Sequence, residues 1–174
     1  MRTHQKGVQR ALVTVMALGS LGCAGTPASD SDAATDASAR EAIGAQIARH
    51  AEAWRMNQVD SVVMLYTEGA VLQFPDAPDA RGRDAIREAL TGVFAATPIQ
   101  SLEISQDTLE VFGDVAYEWG TFDEVYGASG QPSIRDEGRY LMRWERGADG
   151  QWRVSRFTGN VIRRTTGRSG ATSG

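Results

Sequence analysis

Apolar residues in this chain recur first every three to four positions and then every two, and the change falls near Gln100. Ile43, Ile47, His50 and Trp54 stand at i, i+4, i+7 and i+11, one stripe of a 3.6-residue period, which predicts an amphipathic helix. Asn57-Gln58-Val59-Asp60 interrupts the stripe, and Asn57 or Asp60 can cap a second, short helix through Val62, Val63, Leu65 and Tyr66. Thr67-Glu68-Gly69 turns the chain into a strand over 70–74. A loop rich in Pro, Asp and Gly, from Pro75 to Gly82, leads to a third helix carrying Ile86, Leu90 and Phe94.

Beyond Gln100 the alternation predicts strands. Leu102 and Ile104, then Leu109 and Val111, run into a Gly113-Asp114 turn. Strands over 115–123, 138–145 and 152–160 follow, the last two joined by the hairpin signal Ala148-Asp149-Gly150. Roughly five strands against three helices imply an α+β fold with the helices on one face of a curved antiparallel sheet. Side chains divide between the two faces of each strand. The larger apolar sets, Val115, Tyr117, Trp119, Thr121 and Asp123 on one strand and Tyr140, Met142 and Trp144 on the next, are expected to meet the helices. The other face then carries Phe122, Leu141, Trp152 and Val154, rimmed by Glu118, Arg143 and Arg156, a patch suited to a symmetric homodimer.

Composition changes this picture mainly at the N-terminus. Arg2, Lys6 and Arg10 precede an apolar run beginning at Ala11, and Gly19-Ser20-Leu21-Gly22-Cys23 closes it with small residues. This reads as a secretory signal over 1–22. Its end resembles a bacterial lipobox, which implies lipidation of Cys23 and a domain tethered to the cell-envelope membrane; an ordinary cleavage nearby would leave a soluble periplasmic or secreted protein. Residues 23–38 are small, polar and acidic and read as a disordered tether, the domain follows over 39–162, and residues 163–174 read as a fraying tail. The formal charge is −4 for the whole chain. Without the leader, 15 basic residues face 22 acidic ones, −7, which gives no electrostatic reason to bind nucleic acid. The single cysteine excludes an internal disulfide, and the single histidine beyond the leader excludes the usual zinc sets. No phosphate loop, dinucleotide fingerprint or nucleophile elbow occurs, and no cofactor is expected.

The candidate chemistry lies on the inward faces. His50 is either a pocket donor or general base, since its pKa lies near neutrality, or a core histidine satisfied by a neighbour such as Tyr140 or Asp123. Asp123 either orients His50 or is an exposed strand-end acid. Trp54, Phe74, Tyr117, Trp119, Trp144 and Phe157 either line a concave apolar pocket, joined by Tyr140, or fill the core. Arg139, Arg143, Arg153 and Arg156, read with Glu118, Glu137 and Glu145, are cross-strand pairs on a solvated face.

Several local segments carry a family resemblance. Ala53-Trp54-Arg55-Met56-Asn57-Gln58-Val59-Asp60 ends the first helix, Leu65-Tyr66-Thr67-Glu68-Gly69-Ala70-Val71 enters the first strand, and Gly82-Arg83-Asp84-Ala85-Ile86 opens the third helix. Gly113 to Glu118, Gly138 to Leu141 and Gly150 to Val154 match the strands in order. Over about Arg40 to Ile162 the chain resembles the SnoaL-like, or nuclear-transport-factor-2-like, superfamily, and within it the exported ketosteroid-isomerase-like proteins. The resemblance implies a cystatin-like cone of curved sheet closed by three N-terminal helices. It sets Phe74 where ketosteroid isomerase has its carboxylate base, and His50 and Tyr140 where that enzyme has its two oxyanion donors. Asp76 is the nearest substitute base. Three readings follow: a cone that binds a small apolar ligand, an isomerase or hydratase using His50, Tyr140 and Asp123, and a dimerising association module without catalysis.

Overall fold

The two periodicities become three helices packed on one curved six-stranded sheet in the computed structural model, which describes residues 30–167 apart from Asp76. The order is α1 (Asp30–Arg55), α2 (Val59–Met64), β1 (Tyr66–Gln73), β2 (Ala80–Arg81), α3 (Arg83–Ala96), β3 (Ile99–Phe112), β4 (Val115–Tyr126), β5 (Ile134–Arg146) and β6 (Trp152–Thr166). The strands lie β2-β1-β6-β5-β4-β3, and all neighbours are antiparallel except β1 and β6, which run parallel. The fold is the expected α+β cone, with a mixed sheet where an antiparallel one was expected. The leader, Cys23 and Asp76 lie outside the described residues.

Several boundaries differ from the reading of the sequence. Residues 30–38, expected in a tether, form the first turns of α1, and Ala39 and Ile43 are buried. Alanine-rich sequence adjoining an amphipathic helix extends it at little cost, because the helix is already nucleated. At the other end, residues 163–166, expected to fray, continue β6, where Arg163 pairs with Glu137 and Arg164 with Asp136. Tyr66 begins β1 instead of ending α2, because Val154 N–H bonds to the Leu65 carbonyl and draws the chain into the sheet. Neither Asn57 nor Asp60 caps α2, whose N-cap position is Gln58 with no side-chain cap. Asn57 instead adopts a left-handed conformation (φ 53°), and its amide bonds both the N–H (2.8 Å) and the carbonyl (3.1 Å) of Ile99. That clamp ties the end of α1 to the start of β3.

The faces of β5 are as expected: Tyr140, Met142 and Trp144 are buried. On β4 they are reversed. Ala116, Glu118 and Gly120 are buried, Phe122 and Glu124 continue that face, and Tyr117, Trp119 and Asp123 look outward. The reversal follows from size complementarity across the strands. Gly120 pairs with Tyr140 and Gly138 with Phe122, so each inward aromatic ring lies over a neighbouring glycine. A Cβ at Gly138 would come within 2.3 Å of the Phe122 ring, and one at Gly120 within 2.0 Å of the Ser105 carbonyl oxygen. Trp152 and Val154 are buried as well, so Phe122, Trp152 and Val154 leave the expected dimer patch. Of its apolar members Leu141 alone remains outside, beside its cross-strand neighbour Trp119.

Candidate functional site

The stripe on α1 carries His50 and Trp54 over the inner face of the sheet, where they close one wall of a cavity of about 330 Å³. Phe74, just past β1, and Phe157 on β6 complete an aromatic wall. Trp54 stacks on His50 and on Phe157 (centroids 5.6 and 6.5 Å), Phe74 tilts against it at 5.9 Å, and Phe94 of α3 meets it edge-on at 5.2 Å. β3 adds Leu102 and Ile104, and β4 and β5 add Phe122, Tyr140 and Met142.

His50 is 2% exposed, and its Nε2 lies 3.2 Å from the Tyr66 hydroxyl. Neither expected partner, Tyr140 or Asp123, satisfies it. Nδ1 is buried without a hydrogen-bond partner among the described residues. Burial drives the pKa of His50 down to about 4, so the ring is neutral at physiological pH.

Tyr140 lines the cavity, but its hydroxyl donates to Glu118 Oε1 at 2.6 Å. Trp144 Nε1 donates to the other oxygen of Glu118 at 2.8 Å, and Gln106 also bonds this carboxyl group. Burial raises the pKa of Glu118 against the pull of these three donors. Trp144 is wholly buried in this network and does not line the cavity.

A second polar group lines the cavity. In register across the sheet stand Leu102, Glu124, Asp136 and Arg164, one each from β3, β4, β5 and β6. Arg164 binds Asp136 through two parallel bonds, Nε to Oδ1 at 2.8 Å and Nη2 to Oδ2 at 2.7 Å, and the Tyr126 hydroxyl donates to Asp136 Oδ2 at 3.0 Å. Glu124 has one hydrogen-bond donor among the described residues, Trp54 Nε1 at 2.8 Å. Burial raises its pKa above the usual carboxylate value against the pull of the Trp54 bond, with a smaller push from the facing Asp136 charge. Burial and the same Asp136 push Tyr126 up to about 12.

Of the residues singled out in the sequence, His50, Tyr140, Trp54, Phe74 and Phe157 therefore meet at one cavity. Tyr117 and Trp119 lie on the opposite face of the sheet. Asp123 is ion-paired there with Arg135, which holds its carboxyl below the usual range. Sequence reasoning missed Glu124, Asp136 and Arg164. Glu124 stood on the face assigned to solvent, and Arg164 in the expected tail. The glycines at 120 and 138, unfavourable inside strands unless something large must approach, were the available signal.

The helices close the cone over an aromatic cavity into which a few polar groups converge. The chain belongs to the SnoaL-like domain family, whose model matches residues 35–158. No curated protein matches it in sequence. Solved structures agree on the fold. A ketosteroid isomerase-like protein from Erwinia carotovora atroseptica aligns with a TM-score of 0.66 and 19% identity, over 71% of this chain and 95% of that one. An NTF2-like protein with a cystatin-like fold from Novosphingobium aromaticivorans gives 0.62 and 18%, over 79% and 92%. A hexachlorocyclohexane dehydrochlorinase from Novosphingobium barchaimii gives 0.64 and 18%, over 77% and 93%.

Proposed function

We propose that this domain binds a small, largely apolar molecule inside its cone. The observation that carries the reading is the cavity itself: about 330 Å³, walled by Trp54, Phe74, Phe122 and Phe157, with a minority of polar side chains, His50, Thr97, Tyr126, Tyr140 and the row Glu124, Asp136 and Arg164. Sites that take small ligands combine these features, an apolar concavity with few and placed polar groups. An isomerase or hydratase built on His50, Tyr140 and Asp123 finds less support. Asp123 lies on the outer face, the Tyr140 proton is engaged by Glu118, and Phe74 offers no base. Native mass spectrometry of protein purified from its own host should show a bound small molecule, and Val161→Trp, which fills the cavity, should abolish the adduct. Adduct-free protein whose melting temperature no aromatic probe raises would overturn the proposal.

We infer further that the domain works outside the cytoplasm, held to a membrane by a lipid on Cys23. The inference rests on the basic, apolar and small-residue order of the leader. Among the described residues no helix is long and apolar enough to cross a membrane. Cys23→Ser should move the protein from the membrane fraction to the soluble one, and unchanged palmitate labelling in that variant would remove the anchor.

A further inference from the structure

Among the described residues, the charges in one row of the cone's lining do not balance. Three ionisable side chains stand side by side on its inner face, Glu124, Asp136 and Arg164, and the one cation among them makes two bonds to Asp136. Like charges directly opposite each other on neighbouring strands repel. Asp136, 3% exposed, has both Arg164 and the Tyr126 hydroxyl to stabilise it. Glu124 has the indole N–H of Trp54 and, among the described residues, no cation bonded to it. Among the described residues, an ionised Glu124 therefore gives the cavity one negative charge that no bonded cation neutralises.

The rest of the lining points the same way. The hydroxyl protons of Tyr140 and Tyr126 are both donated to carboxylates, which leaves their oxygens only to accept. Trp54 turns its indole N–H edge to Glu124, and Phe122 sits two residues from Glu124 on the same side of β4. His50, fully buried against the cavity, has an Nδ1 with no partner among the described residues, and the tautomer set at its Nε2–Tyr66 contact decides whether that nitrogen donates or accepts. An aromatic lining, two tyrosine oxygens free only to accept and one carboxylate without a bonded cation among the described residues suit a ligand that brings donors and a positive charge.

We propose that the ligand of this cone is an apolar molecule bearing a single cationic amine, whose ammonium pairs with Glu124 while its body lies against Trp54, Phe74 and Phe157. This rests on the reading of the cone as a ligand site and names the class of molecule it takes. The pairing also removes the repulsion between Glu124 and Asp136, so amine binding and ionisation of Glu124 reinforce each other.

The test is a charge series on one apolar body: 2-naphthylmethylamine, 2-naphthylmethanol, 2-acetonaphthone and 2-naphthoate, titrated calorimetrically into the wild-type domain near neutral pH. The amine should bind about tenfold or more tighter than the alcohol, and the carboxylate weakest. Its advantage should shrink as the pH is lowered and Glu124 takes up its proton. E124Q, shown to be folded by its melt, should bring the amine to the level of the alcohol. An alcohol or ketone that binds as well as the amine would overturn the amine assignment while leaving the cone a ligand site. A ketone that binds best would overturn it too, and would show Glu124 acting as a protonated donor instead. Failure of all four compounds to bind would overturn the ligand-site reading and this inference with it.

Discussion

Glu118 and Glu124 stand six residues apart on β4, on the same inward face, and both are held above the usual carboxylate range by burial. Their surroundings differ. Glu118 lies in the core outside the cavity lining, 0% exposed, with Tyr140, Trp144 and Gln106 bonded to its two oxygens. Glu124 lines the cavity, with one indole N–H bonded to it among the described residues and a facing carboxylate. A buried carboxylate whose acceptors are saturated fixes its neighbours and belongs to the fold. One that keeps a spare acceptor and an unmatched charge belongs to a site. Replacing each in turn tests that division.

The largest effect is expected at Glu118. Glu118→Leu strands the Tyr140 hydroxyl and the Trp144 N–H in the core, at a cost of roughly 2–5 kcal/mol. Urea denaturation at neutral pH reads it, and Glu118→Gln, which keeps one acceptor oxygen, should lose less. A Glu118→Leu variant as stable as wild type would erase the distinction between the two glutamates.

His50 sharpens the comparison, because its titration runs against that of the carboxylates. Its folded pKa of about 4 lies below the ordinary 6.5, so the unfolded chain binds a proton that the folded one refuses. Stability from this group is present above pH 6.5 and is lost as the pH falls towards 4, by about 3 kcal/mol. The two glutamates act oppositely. Their folded pKa values are raised, so their contribution is full at low pH and falls as the pH rises through the ordinary carboxylate value to the raised one. His50→Phe should flatten the acid-side loss, and at neutral pH should cost on the order of 1–3 kcal/mol by leaving the Tyr66 hydroxyl unpaired. Stabilities measured at pH 7 and pH 4.5 check both halves. An acid slope that survives in His50→Phe would show that other groups produce it.

Glu124→Gln should have a smaller effect, of opposite sign. The amide keeps an acceptor for Trp54 and removes the repulsion from Asp136, so the protein should gain about 0.5–1 kcal/mol. The slope between the ordinary and the raised carboxylate pKa should flatten as well. A loss of 2 kcal/mol or more, about what an unsatisfied buried group costs, would make Glu124 a second Glu118.

The same strand shows how far the sequence can be read. The order of helices and strands follows from periodicity, and the faces of β5 follow too, because its large apolar side chains Tyr140, Met142 and Trp144 all fall on one side. The faces of β4 do not, because Tyr117 and Trp119 outweigh Ala116 and Gly120 when a strand is judged alone. The inward face of β4 is small where β5 is large, a relation between Gly120 and Tyr140 that single-strand alternation does not contain. Glu118 compounds the error, since a carboxylate reads as solvent-facing until its donors on a neighbouring strand are known. The aromatic wall of Trp54, Phe74 and Phe157 is legible as candidate lining. The charged row is not, because it assembles from three strands, and the register that sets Arg164 opposite Asp136 depends on bulges between β5 and β6.

The smallest effect should come from Asp123, the neighbour of Glu124 in sequence. Because successive side chains alternate, Asp123 points to the far side of the sheet, where Arg135 binds both its oxygens and Glu137 also reaches Arg135. The pair is exposed to solvent, which screens it, and exposed ion pairs of this kind contribute little. Asp123→Asn should therefore leave the urea midpoint within experimental error at moderate salt, and should leave binding in the cone unaltered, because no atom of Asp123 reaches the cavity. It is the control for Glu124→Gln, one residue away with the same chemical change on the opposite face. If Asp123→Asn weakened ligand binding as Glu124→Gln is expected to, the face of β4 assigned to solvent would have to be the functional one. The distinction between Glu118 and Glu124 would then describe only how the core is packed.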